Sequence, residues 1–183
     1  MGLMFTTILG SGVELRLLEE RHAAPLFALV QRERQYLRQW MWWVDARQSE
    51  AEILAFIHGT LETFASGKGF SAGIWVDGSL AGQIGLHRID WRDRVGEIGY
   101  WLAREFQGRG IVTQAARAVT EHALVELDLH RVEIRCAVGN VKSSAIPKRL
   151  GFTFDGALRQ ASHLNGDYLD LEVYSMLRAE YRR

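Results

Sequence analysis

Two glycines one residue apart, Gly108 and Gly110, separate a strand-like run (Gly96 to Leu102) from a helical run (Thr113 to Leu127). This junction constrains the chain more than any other segment. A turn that passes a strand into a helix leaves the first N–H groups of the helix without intrahelical acceptors. Those groups lie at the positive end of the helix dipole, so the turn suits a phosphate or pyrophosphate. With no Cβ in the way, the glycine backbone approaches such an anion closely. The expected ligand is a phosphate-bearing cofactor.

What the turn lacks narrows the choice. A nucleotide-binding P-loop ends in Gly-Lys-Ser/Thr, and Ile111-Val112 occupies that place. A dinucleotide fingerprint needs a third glycine where Thr113 stands, and an acidic residue closing a second strand. The nearest acidic candidate, Asp128, ends a helix instead.

The remaining pattern resembles motif A of the GNAT acyltransferases, Gln/Arg-x-x-Gly-x-Gly/Ala, carried here by Gln107, Gly110 and Val112, the last departing from the rule. The segment Asn140 to Phe152 resembles motif B of the same family: Asn140-x-x-Ser143, then a short helix ending in Leu150-Gly151-Phe152. Glu97-Ile98-Gly99-Tyr100-Trp101-Leu102 before motif A, and Leu158-Arg159 with Asn165-Gly166-Asp167-Tyr168-x-Asp170 near the end, resemble the Rim-type branch, the ribosomal-protein N-terminal acetyltransferases and their relatives. The resemblance implies an α/β fold in which a splayed mixed sheet is flanked by helices. It also implies an acetyl-CoA cosubstrate held by Leu102, Ala103, Gln107, Gly108, Arg109, Gly110, Ile111, Val112 and Thr113, with Asn140 on the pantetheine backbone. A protein N-terminal α-amine is the expected acceptor, with a small-molecule amine as the alternative. A non-catalytic acyl-CoA-binding module is a third reading, and a homodimer is a further expectation.

Composition bounds the rest. A chain of 183 residues forms one domain that buries roughly 70% of its unfolded surface. With 22 basic and 22 acidic residues, charge makes no general case for nucleic acid or an anionic membrane. One cysteine, Cys136, forms no intrachain disulfide and fits a reducing cytoplasm. No apolar run approaches the ~20 residues needed to span a bilayer. Met1 to Leu9 lacks the basic start of a signal peptide. Met1 to Thr6 matches the loose myristoylation pattern, without the polybasic neighbour that stable anchoring needs. The six histidines show no metal-ligand spacing, so no metal is expected.

Periodicity orders the elements. Val13 to Leu17 alternates as a strand; His22 to Val30 and Glu50 to Phe64 carry helical spacing. Phe70 to Val76 and Leu80 to Ile89 form a hairpin about Asp77-Gly78. Arg94 to Leu102 and Arg131 to Val138 are strands, the Asn140 helix is closed by Gly151, and Phe152 to Arg159 and Tyr168 to Leu177 finish the chain.

Two residues are the catalytic candidates. Ser143 is placed to protonate the departing thiolate; its alternative is helix capping, which serine commonly does. Glu97 is the candidate general base, direct or through water, on the assumption that its apolar strand buries it and raises its pKa. Its alternative is an exposed carboxylate on the solvent face, or an ion pair with Arg94 or Arg135. Lys142, Lys148 and Arg149 are candidates for the phosphates, with at least two of them expected on solvated helix surface. Trp40, Trp42 and Trp43 crowd one link and are expected to line a pocket or pack in the core. His163 and Tyr168 flank the last turn, where loop surface and strand packing are their expected roles.

Overall fold

The computed structural model describes residues 6–10 and 12–181. Met1 to Phe5, which carry most of the acylation pattern and the apolar opening, lie outside them. Twelve main elements follow in order: β1 (Thr6–Gly10), β2 (Val13–Leu17), α1 (Ala23–Leu37), α2 (Glu50–Ala65), β3 (Phe70–Val76), β4 (Ser79–Asp90), β5 (Val95–Leu102), α3 (Ile111–Glu121), β6 (Arg131–Ala137), α4 (Val141–Leu150), β7 (Thr153–Leu164) and β8 (Asp167–Leu177). The strands form one sheet in the order β1-β2-β3-β4-β5-β6-β8-β7. Every neighbouring pair is antiparallel except β5 and β6, which run parallel. This is the mixed α/β architecture expected from the sequence.

Local chemistry sets most boundaries. Asp77-Gly78 and Asn165-Gly166 take positive φ at both positions, as two-residue hairpins require. Ser49 and Glu52 cap α2 reciprocally, the hydroxyl accepting from the Glu52 N–H and the carboxylate from the Ser49 N–H. One face of the sheet packs Ile84, Leu86 and Ile98 against the Ile111, Ala115 and Val119 face of α3. The other packs Trp75, Leu80 and Trp101 against Leu26, Leu29 and Ile57 of α1 and α2. Apolar residues on both sides of β3 to β5 thus bury the centre of the sheet.

Four details differ from the sequence reading. Strand β1 adds an edge before Val13, and α1 runs to Leu37 instead of Val30. Helix α3 opens at Ile111, two residues before Thr113, and from His122 to Glu126 its end relaxes into a π-turn. Strand β7 continues past Arg159 to Leu164, its pairing with β8 interrupted between Leu158 and Ser162. Gln160, Ala161 and His163 of that extension are exposed and only Leu164 is buried, so it has too little alternation to reveal it.

Candidate active site

Strands β5 and β6 are laddered only from Val95–Arg131 to Ile98–Ile134. Beyond that point β5 runs on to Leu102 and β6 to Ala137, paired only with their outer neighbours β4 and β8. Backbone groups facing the gap from Gly99 to Leu102 therefore have no strand across from them. An extended molecule rich in amides satisfies such groups by adding as a strand. Tyr100 reaches over the gap, its hydroxyl donating to the Ser143 carbonyl at 2.9 Å.

The gap leads to the glycine turn. Gly108 (φ 76°) and Gly110 (φ 72°) are exposed, and a Cβ on either would meet nothing within 4 Å. Gly110 is the N-cap of α3 and offers no side-chain acceptor, so the first amides of Ile111, Val112 and Thr113 point out uncapped. Gln107 braces the turn. Its amide nitrogen donates to the Leu102 carbonyl at 3.0 Å and to the Tyr36 hydroxyl at 2.9 Å, while its oxygen accepts from Lys142 at 2.9 Å. Arg149 donates to the Thr113 hydroxyl at 2.8 Å. Two of the three candidate cations, Lys142 and Arg149, thus reach the turn, and all three are exposed on α4, in line with the solvated helix surface expected of at least two. Lys148 sits instead over the Tyr174 ring. Leu102 and Ala103 are buried at the head of the turn, Val112 packs against the core and Arg109 is exposed beside the helix start.

At the other end of the gap the structure separates two roles that the sequence left joined. Asn140, not Ser143, caps α4: its Oδ1 accepts from the Ser143 N–H at 3.2 Å. Asn140, expected on a pantetheine backbone with N-capping as its alternative, thus has its side-chain oxygen on the helix. The Ser143 hydroxyl is free of capping and lies 3.2 Å from Cys136 Sγ. Burial pushes the Cys136 thiol up, against smaller opposing effects of hydrogen bonds with Ser143 and Tyr100. Burial also drives the Tyr100 phenol well above its usual value, so it stays protonated.

Glu97 requires a correction. The burial expected for it is absent: its side chain is 37% exposed and lies 3.6 Å from Arg135, which also pairs with Glu133 at 2.9 Å. Arg94 is not its partner and contacts Asp128. His87, weighed in the sequence only as a metal ligand, lies on the same side of the sheet, its ring against Gly99. A histidine without motif or spacing carries no signal in one sequence.

A cleft of about 630 Å³ opens above this face between the α1–α2 link and the β7–β8 turn, lined by Trp42, Asp45, Ser162, His163 and Asn165 among others. Asn165 pins the two walls together, its amide donating to the Arg38 carbonyl at 2.9 Å. The tryptophans divide as expected: Trp42 is exposed in the cleft, whereas Trp43 packs on Trp101. His163 stacks on Tyr168 across the hairpin, and Tyr168 is exposed where strand packing was expected. Glu33 is buried and accepts from the Arg104 backbone and guanidinium, so it has no charge to offer a cationic substrate. Among the described residues no group of three His, Cys, Asp or Glu could hold a metal, and no helix is long and apolar enough to cross a membrane.

The family profile described as "Acetyltransferase (GNAT) domain" matches residues 13–153. A candidate ribosomal N-acetyltransferase of Bacillus subtilis, YdaF, is 40% identical over 97% of this chain and 98% of its own length. The ribosomal-protein-serine acetyltransferase of Escherichia coli is 32% identical over 94% and 96%. Among solved structures, RimL, a ribosomal L7/L12 alpha-N-protein acetyltransferase in complex with coenzyme A bound through a disulfide to one of its cysteines, superposes with a TM-score of 0.91 at 31% identity, covering 94% of this chain and 97% of that one.

Proposed function

The chain belongs to the GNAT acetyltransferase family, and on that premise we propose that it moves the acetyl group of acetyl-CoA to the α-amine of a ribosomal-protein N-terminus. The parting of β5 from β6, continuous with the uncapped start of α3, carries the reading. It offers a strand-like slot for a pantetheine arm and a positive helix end for its pyrophosphate. Acetyl-CoA, when bound, supplies the activated acetyl thioester.

The chain's own groups do the rest. The amides of Tyr100 and Leu102, which turn away from β4, would stabilise charge on a carbonyl oxygen, as an oxyanion hole does. Lys142, Arg149 and Arg109 add positive charge at the phosphate end. Ser143 stands beside the gap with its hydroxyl uncommitted to the helix, ready to protonate a departing thiolate. Glu97 accepts a proton through water, on the face opposite α3.

The acceptor follows from magnitudes and from the relatives. Neutralising an α-amine of pKa near 7.8 at pH 7 costs roughly 1 kcal/mol, against roughly 4.6 for a lysine-like amine of pKa near 10.4. One half-exposed carboxylate suits the first task. A polycation would want several free carboxylates, and Glu33 and Asp45 are already paired with Arg104 and Arg38. The names of the relatives support a ribosomal protein, with N-terminal serine the first candidate. We place the enzyme in the cytoplasm, in keeping with its single cysteine, and as a homodimer, with the exposed Phe154 and Leu158 of edge strand β7 as the surface to be covered.

The test is an acetylation screen with labelled acetyl-CoA against peptides with different N-termini and a panel of free amines. The reading expects acetylated peptides, serine-initiated ones foremost. Label confined to free amines would reject the acceptor, and no transfer to anything would reject the activity.

A further inference from the structure

Resting on the acetyl-transfer reading, we infer that His87 is a further catalytic residue, whose imidazole takes the proton from the acceptor amine at the point where the sheet parts. A β-bulge puts it there. Leu86 pairs with Ile98 and Arg88 with Glu97, so His87 and Arg88 together oppose one residue of β5. Bulges bend a strand and re-aim a side chain. Here the ring folds back over a single row of the sheet, Ser71–Gly85–Gly99. The next place in that row is the gap between β5 and β6.

Two glycines form the bed of the ring. A Cβ on Gly99 would stand 2.6 Å from both Cδ2 and Nε2 of His87, and one on Gly85 would stand 3.0 Å from Cε1. At Gly99 the imidazole alone crowds that space; at Gly85 the Phe70 carbonyl does so as well. The ring also borders a cleft of about 310 Å³ between α2 and the sheet, whose other walls are Phe56, Gly59, Thr60, Thr63, Phe70 and Ser71. That wall is mostly apolar in what it exposes, since Thr60 and Thr63 turn their hydroxyls to the carbonyls of Ile57 and Gly59, and it leaves room for a short N-terminal residue.

The electrostatics fit a base. Water reaches the ring, yet protein surrounds it, and this loss of bulk solvent lowers its pKa. The Gly99 carbonyl opposes the shift and Arg47 reinforces it. Of the charged groups around it, Arg88 lies on its own strand, Glu97 faces the bulge from β5, and Arg47 approaches from the α1–α2 link. From α2 the cleft receives no titratable side chain. A neutral imidazole at pH 7 is what proton abstraction needs.

In the step, the C–N bond forms as the C–S bond breaks. The surplus proton of the amine passes to the unprotonated ring nitrogen, then through water toward Glu97 and solvent. The thiolate takes a proton from the Ser143 hydroxyl, which recovers one from solvent. Glu97, fixed by Arg135, follows His87 on this route.

The experiment uses wild type, His87→Gln and Gly99→Ala with acetyl-CoA and two acceptors, a serine-initiated peptide and glycinamide. His87→Gln should lower kcat/KM about 100-fold or more and leave on the acidic limb only the ionisation of the acceptor amine, with KM for acetyl-CoA changed less than about threefold. Gly99→Ala should displace the ring and lower kcat in the same direction. In ligand-free wild type, the His87 resonances should titrate below the ordinary value of about 6.5. A His87→Gln enzyme within about threefold of wild type, with the wild-type pH profile unchanged, overturns the inference, as does an imidazole titrating above about 7. Wild type active on glycinamide but not on the peptide rejects the ribosomal acceptor alone, and His87 is then judged on glycinamide. Wild type inert toward both rejects the transfer reading and this inference with it.

Discussion

Cys136 Sγ lies 3.2 Å from Ser143 Oγ because Asn140 has taken over the capping of α4. The hydroxyl is thereby turned toward the gap between β5 and β6. Thiols have a pKa near 8.5, so the leaving group needs only modest help near neutral pH. Ser143→Ala should lower kcat by about 10- to 100-fold, at the weak end of general-acid effects. KM for acetyl-CoA should stay within about threefold. Steady-state kinetics check both, and a parallel rise in KM with unchanged kcat would assign Ser143 to binding.

Gly110 holds φ 72° in open space, so a methyl group there meets strain without collision. Gly110→Ala should cost about 1 kcal/mol of stability and weaken acetyl-CoA binding about tenfold, since the added carbon stands beside the uncapped amides. Gly67, at φ 67° beyond the end of α2, is also in open space. Gly67→Ala should lose similar stability with unchanged affinity. Calorimetric titration and thermal melts separate the two effects.

Arg104 and Glu33 form an unequal pair. The carboxylate is 5% exposed and the guanidinium 60%. Removing the arginine leaves a buried carboxylate with only Arg32 at 3.7 Å and the backbone N–H of residue 104, whereas removing the glutamate leaves an arginine that water still solvates. Arg104→Ala should therefore cost about 2–3 kcal/mol and Glu33→Gln about 1 kcal/mol, read from urea denaturation. Equal losses would mean that the packing of α1 on the turn matters more than charge.

His22 sets an acid limit on stability. Its Nδ1 accepts from the Glu19 N–H at 3.0 Å, which requires an unprotonated nitrogen. Burial lowers its pKa; Glu19 opposes this, and Arg21 and Arg16 add to it. A folded pKa below the unfolded 6.5 means that the unfolded chain binds the proton first. Its contribution is complete above about pH 6.5 and shrinks as pH falls toward the folded value. The urea midpoint of wild type should drop between about pH 7.5 and 5.5, and His22→Leu should flatten that drop.

Much of this was legible in the chain because it rests on local chemistry. Asp77-Gly78 and Asn165-Gly166 must turn, and Gln107 to Gly110 must expose amides wherever a strand passes into a helix. The two GNAT-like motifs, in order and properly spaced, identified the fold and the chemistry together. Each of these features depends on residues a few positions apart.

Tertiary structure decided what depends on neighbours distant in sequence. Whether Glu97 is buried depends on Arg135, 38 positions on, which reaches it from the parallel strand. Whether Ser143 caps or faces the gap depends on which side chain bonds its own amide and on where β6 places Cys136. His87 has no motif at all: a bulge, two glycines on separate strands and a parting sheet make it a candidate base. Periodicity records which face a residue prefers, but proton affinity is set by desolvation and by charges that only folding brings near.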